Sequence, residues 1–63
     1  MEPSTVTPAQ LLATLLIGED ISVWIRRRRD QGATWKIITR DIYEKTDHQL
    51  DLTQKTVQTW AAL

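Results

Sequence analysis

The chain predicts an all-α fold, a core of three helices preceded by a short amino-terminal helix, and three observations carry that expectation. Apolar residues recur at spacings of three and four through Leu11–Leu16, Ile21–Ile25, Trp35–Ile42 and Val57–Trp60, the period of helices that bury one stripe. A residue that can cap a helix by accepting an amide hydrogen bond precedes every run: Thr7, Glu19 or Asp20, Thr34 and Thr53. Gly18 and Gly32 fall where the first two runs stop, and glycine readily takes the left-handed conformation that ends a helix. The last three runs are separated by two breaks, Asp30 to Thr34 and Asp47 to Thr53, and the final one is short and polar on one side. That is the layout of a helix-turn-helix core whose last helix can enter a DNA groove.

Residues 1–6 read as a flexible arm and 7–63 as one helical domain, with a short helix over 7–17 and the helix-turn-helix core over 20–63. Thr7-Pro8 makes a good helix entry, because proline at the first helical position loses no hydrogen bond. Leu11, Leu12, Leu15 and Leu16 share a face, and so short a helix needs a surface to lie on. In the second helix Ile21, Trp24 and Ile25 face inward, and Arg28 continues their stripe with its charged tip reaching water. The third, Trp35 to Lys45, turns Trp35, Ile38 and Ile42 inward with Tyr43 beside them. Ile37 lies off that line and is expected to pack on the amino-terminal helix or to join a contact between subunits. Leu50 and Leu52 alternate with Asp51 and can pin the loop to the core. The fourth segment, Gln54 to Leu63, buries Val57, Trp60 and Leu63, and the three tryptophans are expected to meet in one core. Removing Trp60 should cost about 3–5 kcal/mol.

Sixty-three residues make one domain, and a chain of that size buries only about 60% of the surface exposed on unfolding. No cysteine and a single histidine leave neither a disulfide nor a structural zinc set to add stability, so a homodimer is an expected route. The longest apolar run, Leu15 to Ile17, is far too short to span a bilayer, and no secretory leader is apparent. A cytoplasmic protein is expected, with no membrane partner. The formal net charge is zero, but it is polarised: residues 1–20 carry −3, residues 21–46 carry +4 and residues 47–63 carry −1. A local positive patch can bind phosphate even when the total vanishes.

The exposed side of the fourth helix has the inventory for reading base edges. Gln54 and Gln58 can pair bidentately with adenine, Lys55 can donate to guanine, and Thr59 can hydrogen-bond or touch a thymine methyl. Phosphate contacts are expected from Arg26, Arg27 and Arg29 at the end of the second helix, from Thr34, Lys36 and Arg40 on the third, and from Thr53. The arginine run exceeds one helical turn, so it forms a collar around the helix end, where cations also offset the helix dipole.

From Ile21 to Trp60 the chain resembles small helix-turn-helix proteins of actinobacteria and their phages, and the trihelical DNA-binding parts of resolvases and transposases. The matching residues are Gly32, Thr34-Trp35, Ile38, Ile42, Thr56-Val57 and Trp60. The resemblance implies a sequence-specific regulator of transcription or excision, acting in the host cytoplasm if phage-encoded, with Gln54, Lys55, Gln58 and Thr59 at the base-reading positions. The sequence departs from the pattern in the longer connection from Thr46 to Leu52, in having Lys55 as the sole cation of the reading helix, and in placing Asp47 and Asp51 close by.

Catalysis is not expected. There is no nucleophile with a base and an orienting acid, no phosphate-binding glycine loop and no cofactor motif, and His48 stands alone in a loop. Asp41, Glu44 and Asp47 read as solubilising rather than metal-binding. Two alternatives remain from sequence: an adaptor that binds a host protein through the leucine face, and the DNA-binding fragment of a recombinase. Dimerisation is expected through that same leucine face, Leu11, Leu12, Leu15 and Leu16 with Ile37.

Overall fold

The computed structural model describes residues 7–62, and these form four helices with no strand among them: α1 (Pro8–Ile17), α2 (Ile21–Asp30), α3 (Trp35–Lys45) and α4 (Gln54–Ala61). The boundaries follow from the caps. Oγ1 of Thr7 accepts from the Gln10 amide while Gln10 Oε1 accepts from the Thr7 amide at 2.8 Å, a reciprocal capping box. Asp20, Thr34 and Thr53 cap α2, α3 and α4 by accepting from Val23, Ile37 and Thr56. Gly18 closes α1 at φ +92°, its N–H donating to the Thr14 carbonyl. The Thr14 hydroxyl in turn accepts from the Ile21 amide at 3.1 Å, which ties the end of one helix to the start of the next.

The core is assembled from Ala13, Ile21, Trp24, Ile25, Ile38, Ile42, Leu50, Val57 and Trp60. Both α1 and α4 pack on α2 and α3. All of the expected core residues are buried except Trp35, which lies half-buried at the margin with the Arg29 guanidinium 4.4 Å from its ring centroid. Trp24 and Trp60 are buried in one core and Trp35 packs against it from the margin, with a cation over its ring as well. The expected extension of the last helix to Leu63 is shortened, since α4 ends at Ala61, and Leu63 lies outside the described residues, as does the arm over 1–6.

The packing of α1 decides which of its faces is free. It docks through Gln10 and Ala13, with Ala9 and Ile17 partly buried against the core, and leaves Leu11, Leu12, Leu15 and Leu16 in solvent. Small side chains on the docked side allow the helix axis to approach closely. Ile37 is also exposed, at about half of its surface.

The connection between α3 and α4 is held from within. Oγ1 of Thr46, fully buried, donates to the Ile42 carbonyl at 2.7 Å and accepts from the Leu50 amide at 3.2 Å. Asp47 and His48 take left-handed backbone, φ +56° and +64°, which reverses the chain so that the His48 amide reaches the Tyr43 carbonyl at 2.8 Å. The imidazole stacks on the Tyr43 ring, centroids 4.6 Å apart. Leu50 then enters the core and Leu52 packs beside it, anchoring the loop as single side chains without forming a strand.

Candidate nucleic-acid interface

Val57 and Trp60 anchor α4 in the core, and helical spacing then turns Gln54, Lys55, Gln58 and Thr59 to the opposite side, where all four are exposed. Eight residues at a rise of 1.5 Å make a rod about 12 Å long, and a helix with its side chains, about 10–12 Å across, fits the width of the DNA major groove, about 12 Å. No acidic residue lies in its first turn. The hydroxyl of Thr59 donates to the Lys55 carbonyl at 3.0 Å, so its proton is engaged within the helix and its oxygen and methyl group remain for outside contacts. Among the described residues, the side chains of Gln54, Lys55 and Gln58 meet no hydrogen-bond or ion-pair partner.

The arginine collar has divided duties. Arg27 pairs with Glu19 at 2.7 Å; hydrogen bonding and charge from Arg27 hold the Glu19 carboxyl below its ordinary value, and the same contact raises Arg27. Arg28 bridges α2 and α3 through Asp41 at 2.5 Å, also donates to the Gln31 side chain, and lies 6.0 Å from the Trp24 ring centre. Its role is internal, as its place on the core stripe suggests. Arg26 donates to the Ala61 carbonyl at 3.2 Å, stitching the end of α2 to the end of α4, and Arg29 donates to the Ala33 carbonyl at 3.0 Å while covering Trp35. These four side chains thus fasten the helix ends that they surround.

Between those ends lies a groove of about 430 Å³ lined by Arg26, Arg29, Asp30, Trp35, Gln58, Ala61 and Ala62. It brings one of the expected base-reading residues, Gln58, together with two of the expected phosphate contacts, Arg26 and Arg29. Asp30 and the two alanines were not singled out by sequence reasoning, and nothing in their local pattern distinguishes them from ordinary surface. Of the remaining phosphate candidates, Lys36 and Arg40 stand four residues apart on the outer side of α3, exposed and without an ion pair among the described residues. The hydroxyls of Thr34 and Thr53 are engaged in capping, and Thr53 is also hydrogen-bonded to Thr56 at 3.0 Å.

Exposed carboxylates lie at the end of α3 and in the connection that precedes α4. Asp47 and Asp51 are exposed in the connection before α4, and Glu44 lies 3.5 Å from the His48 Nε2. Among the described residues no three His, Cys, Asp or Glu side chains converge to hold a metal ion, and no single helix is long and apolar enough to cross a membrane. Comparison with protein-family models, with characterised proteins and with solved structures finds no match to the chain.

Proposed function

We propose that this protein binds double-stranded DNA with sequence preference, as a small regulator whose α3 and α4 act as a helix-turn-helix and whose α4 lies in the major groove. The observation that carries the reading is the outward, amide-rich side of α4, with Gln58 sharing a groove with Arg26 and Arg29. Gln54, Lys55 and Gln58 read base edges, and Thr59 contributes its methyl group. Lys36 and Arg40 bind phosphate on one flank and Arg26 and Arg29 on the other, so that backbone contacts fix the register in which the amides meet the bases. A carbonyl is a neutral partner, so those that Arg26 and Arg29 meet do not offset a guanidinium charge. The Glu19 carboxylate does offset that of Arg27, and the hydroxyls of Thr34 and Thr53 serve the helix caps, so these three have smaller parts.

Retention from a random duplex pool, followed by sequencing, tests the proposal. A recurring motif is expected, along with loss of its enrichment when Gln54 and Gln58 are both replaced by alanine. A retained pool that stays random would reject sequence-specific reading.

A second reading, an adaptor that docks on a host protein, is favoured by the solvent-facing leucines of α1. It predicts indifference to the glutamine substitutions and to added salt, whereas phosphate-driven binding weakens steeply with salt.

A further inference from the structure

We infer that Trp35 is a positioning residue of the proposed DNA contact, its indole holding the Arg29 guanidinium as a preformed site for a backbone phosphate. The inference rests on the DNA reading and names the residue on which one of its phosphate contacts depends. The chemistry of the partners separates the arginines at the end of α2. Arg27 meets the Glu19 carboxylate and Arg28 that of Asp41, so each of these cations faces an anion within the molecule. Arg29 is exposed and is held by two neutral groups, the Trp35 ring with its centroid 4.4 Å away and the Ala33 carbonyl at 3.0 Å. A ring face attracts a cation through its quadrupole, and neither it nor a carbonyl cancels the charge. Asp30, which lines the same groove, forms no ion pair with Arg29.

The backbone fixes the same residue. Gly32, at φ +93°, turns the chain at the end of α2, and its amide donates to the Arg29 carbonyl at 2.9 Å. The Ala33 amide donates to the Arg28 carbonyl at 3.1 Å, which sets Ala33 where its own carbonyl meets the Arg29 side chain. Thr34 then caps α3 and starts it with Trp35 beneath the guanidinium. A surface arginine gives up rotamer freedom when it binds, and one already held gives up less. Its planar fork carries five N–H donors, so one bond to Ala33 leaves others for a phosphate. The arrangement thus keeps the charge and lowers the ordering cost, and both favour binding an anion. Gln58 lines the same groove, so the phosphate that Arg29 meets is next to the base that Gln58 reads.

A double-mutant cycle on affinity for a labelled mixed-sequence duplex tests the inference, since a phosphate contact does not depend on sequence. Trp35→Leu should weaken binding about 3- to 10-fold, the cost of ordering a released side chain, with the salt slope little changed because the cation remains. Trp35→Phe, which keeps an aromatic face, should stay close to the parent. Arg29→Ala should weaken binding further and reduce the salt slope by about 1. In the Arg29→Ala background, Trp35→Leu should have no additional effect. If Trp35 acted through packing alone, its replacement would cost the same in both backgrounds. That result, or a Trp35→Leu chain that binds as tightly as the parent, would overturn the inference. Circular dichroism of every variant checks that the chains compared are folded. Should Trp35→Leu fail to fold, proton spectra of the parent decide: the Arg29 side-chain resonances should lie upfield under the indole ring current and shift when duplex is added. Arg29 resonances that ignore the duplex would overturn the inference as well. A parent that binds no duplex rejects the DNA reading and this contact with it, whereas a parent that binds without coupling between Trp35 and Arg29 rejects the positioning role alone.

Discussion

Trp60 and Trp35 differ as residues because of what covers each indole. Trp60 is enclosed by α2 and α3, and its replacement by alanine should cost about 3–5 kcal/mol, comparable to the whole stability of a domain this small. Urea denaturation should then show a Trp60→Ala chain largely unfolded before denaturant is added. The inward place of Trp24, Ile38, Ile42, Val57 and Trp60 was legible from their spacing. The position of Trp35 was not, since the same spacing holds whether a ring meets hydrocarbon or a guanidinium from another helix. The arginine partners were equally hidden: a run of four identical residues does not reveal that Arg27 meets Glu19, Arg28 meets Asp41 and Arg26 meets the Ala61 carbonyl. One of those pairs has a pH signature. Arg27 holds the Glu19 carboxyl below its ordinary value of 4.5, so the pair contributes stability above that value and loses it as pH falls through the depressed one. Thermal unfolding of Glu19→Gln should therefore show a shallower decline with acid than the parent between about pH 5 and pH 3, the two converging at the acid end. Arg27 is raised and stays protonated throughout, so it adds no slope there.

At the scale of the element, the caps were the most readable signals because a cap is a local hydrogen bond between residues three apart. Thr7, Asp20, Thr34 and Thr53 each open a helix where the sequence places them. The orientation of α1 was only half readable. Leucine spacing shows that the four share a side, but Gln10, Ala13, Thr14 and Ile17 have the same period, and burial of this second side is a property of the shape of α2 and α3. The connection from Thr46 to Leu52 is visibly longer than a tight turn in the sequence, but its internal bracing is not legible there. A lone threonine gives no sign that its hydroxyl will serve two backbone groups across a reversal. Thr46→Val preserves the shape and leaves the Leu50 amide without its buried acceptor, at a cost of about 1–3 kcal/mol. Hydrogen exchange should show the Leu50 amide losing protection ahead of the helices. Thr46→Ser, which retains the hydroxyl, should preserve most of that protection.

For the molecule as a whole, the all-helical architecture follows from composition and period together, while the use of its two free faces is the proposed part of the account. Zero net charge conceals an uneven distribution, with the cations concentrated on α2 and α3 and with Glu19, Asp20, Asp47 and Asp51 outside them. In the proposed reading the cations of α2 and α3 would attract the duplex, and Asp47 and Asp51 in the connection before α4 would limit indiscriminate attachment. If Lys36, Arg40, Arg26 and Arg29 together meet about four phosphates, affinity should fall with salt at a logarithmic slope of about −3 to −4, and Arg40→Ala should reduce that slope by about 1. The most direct measurement is a titration of the parent and Gln58→Ala against the duplex recovered by selection and against a scrambled duplex, at two salt concentrations. The account predicts a loss of about 10- to 100-fold for Gln58→Ala on the selected duplex, little change on the scrambled one, and a salt slope common to both proteins. Equal affinity of the parent for both duplexes, or a Gln58→Ala chain that binds the selected duplex as tightly as the parent, would contradict it.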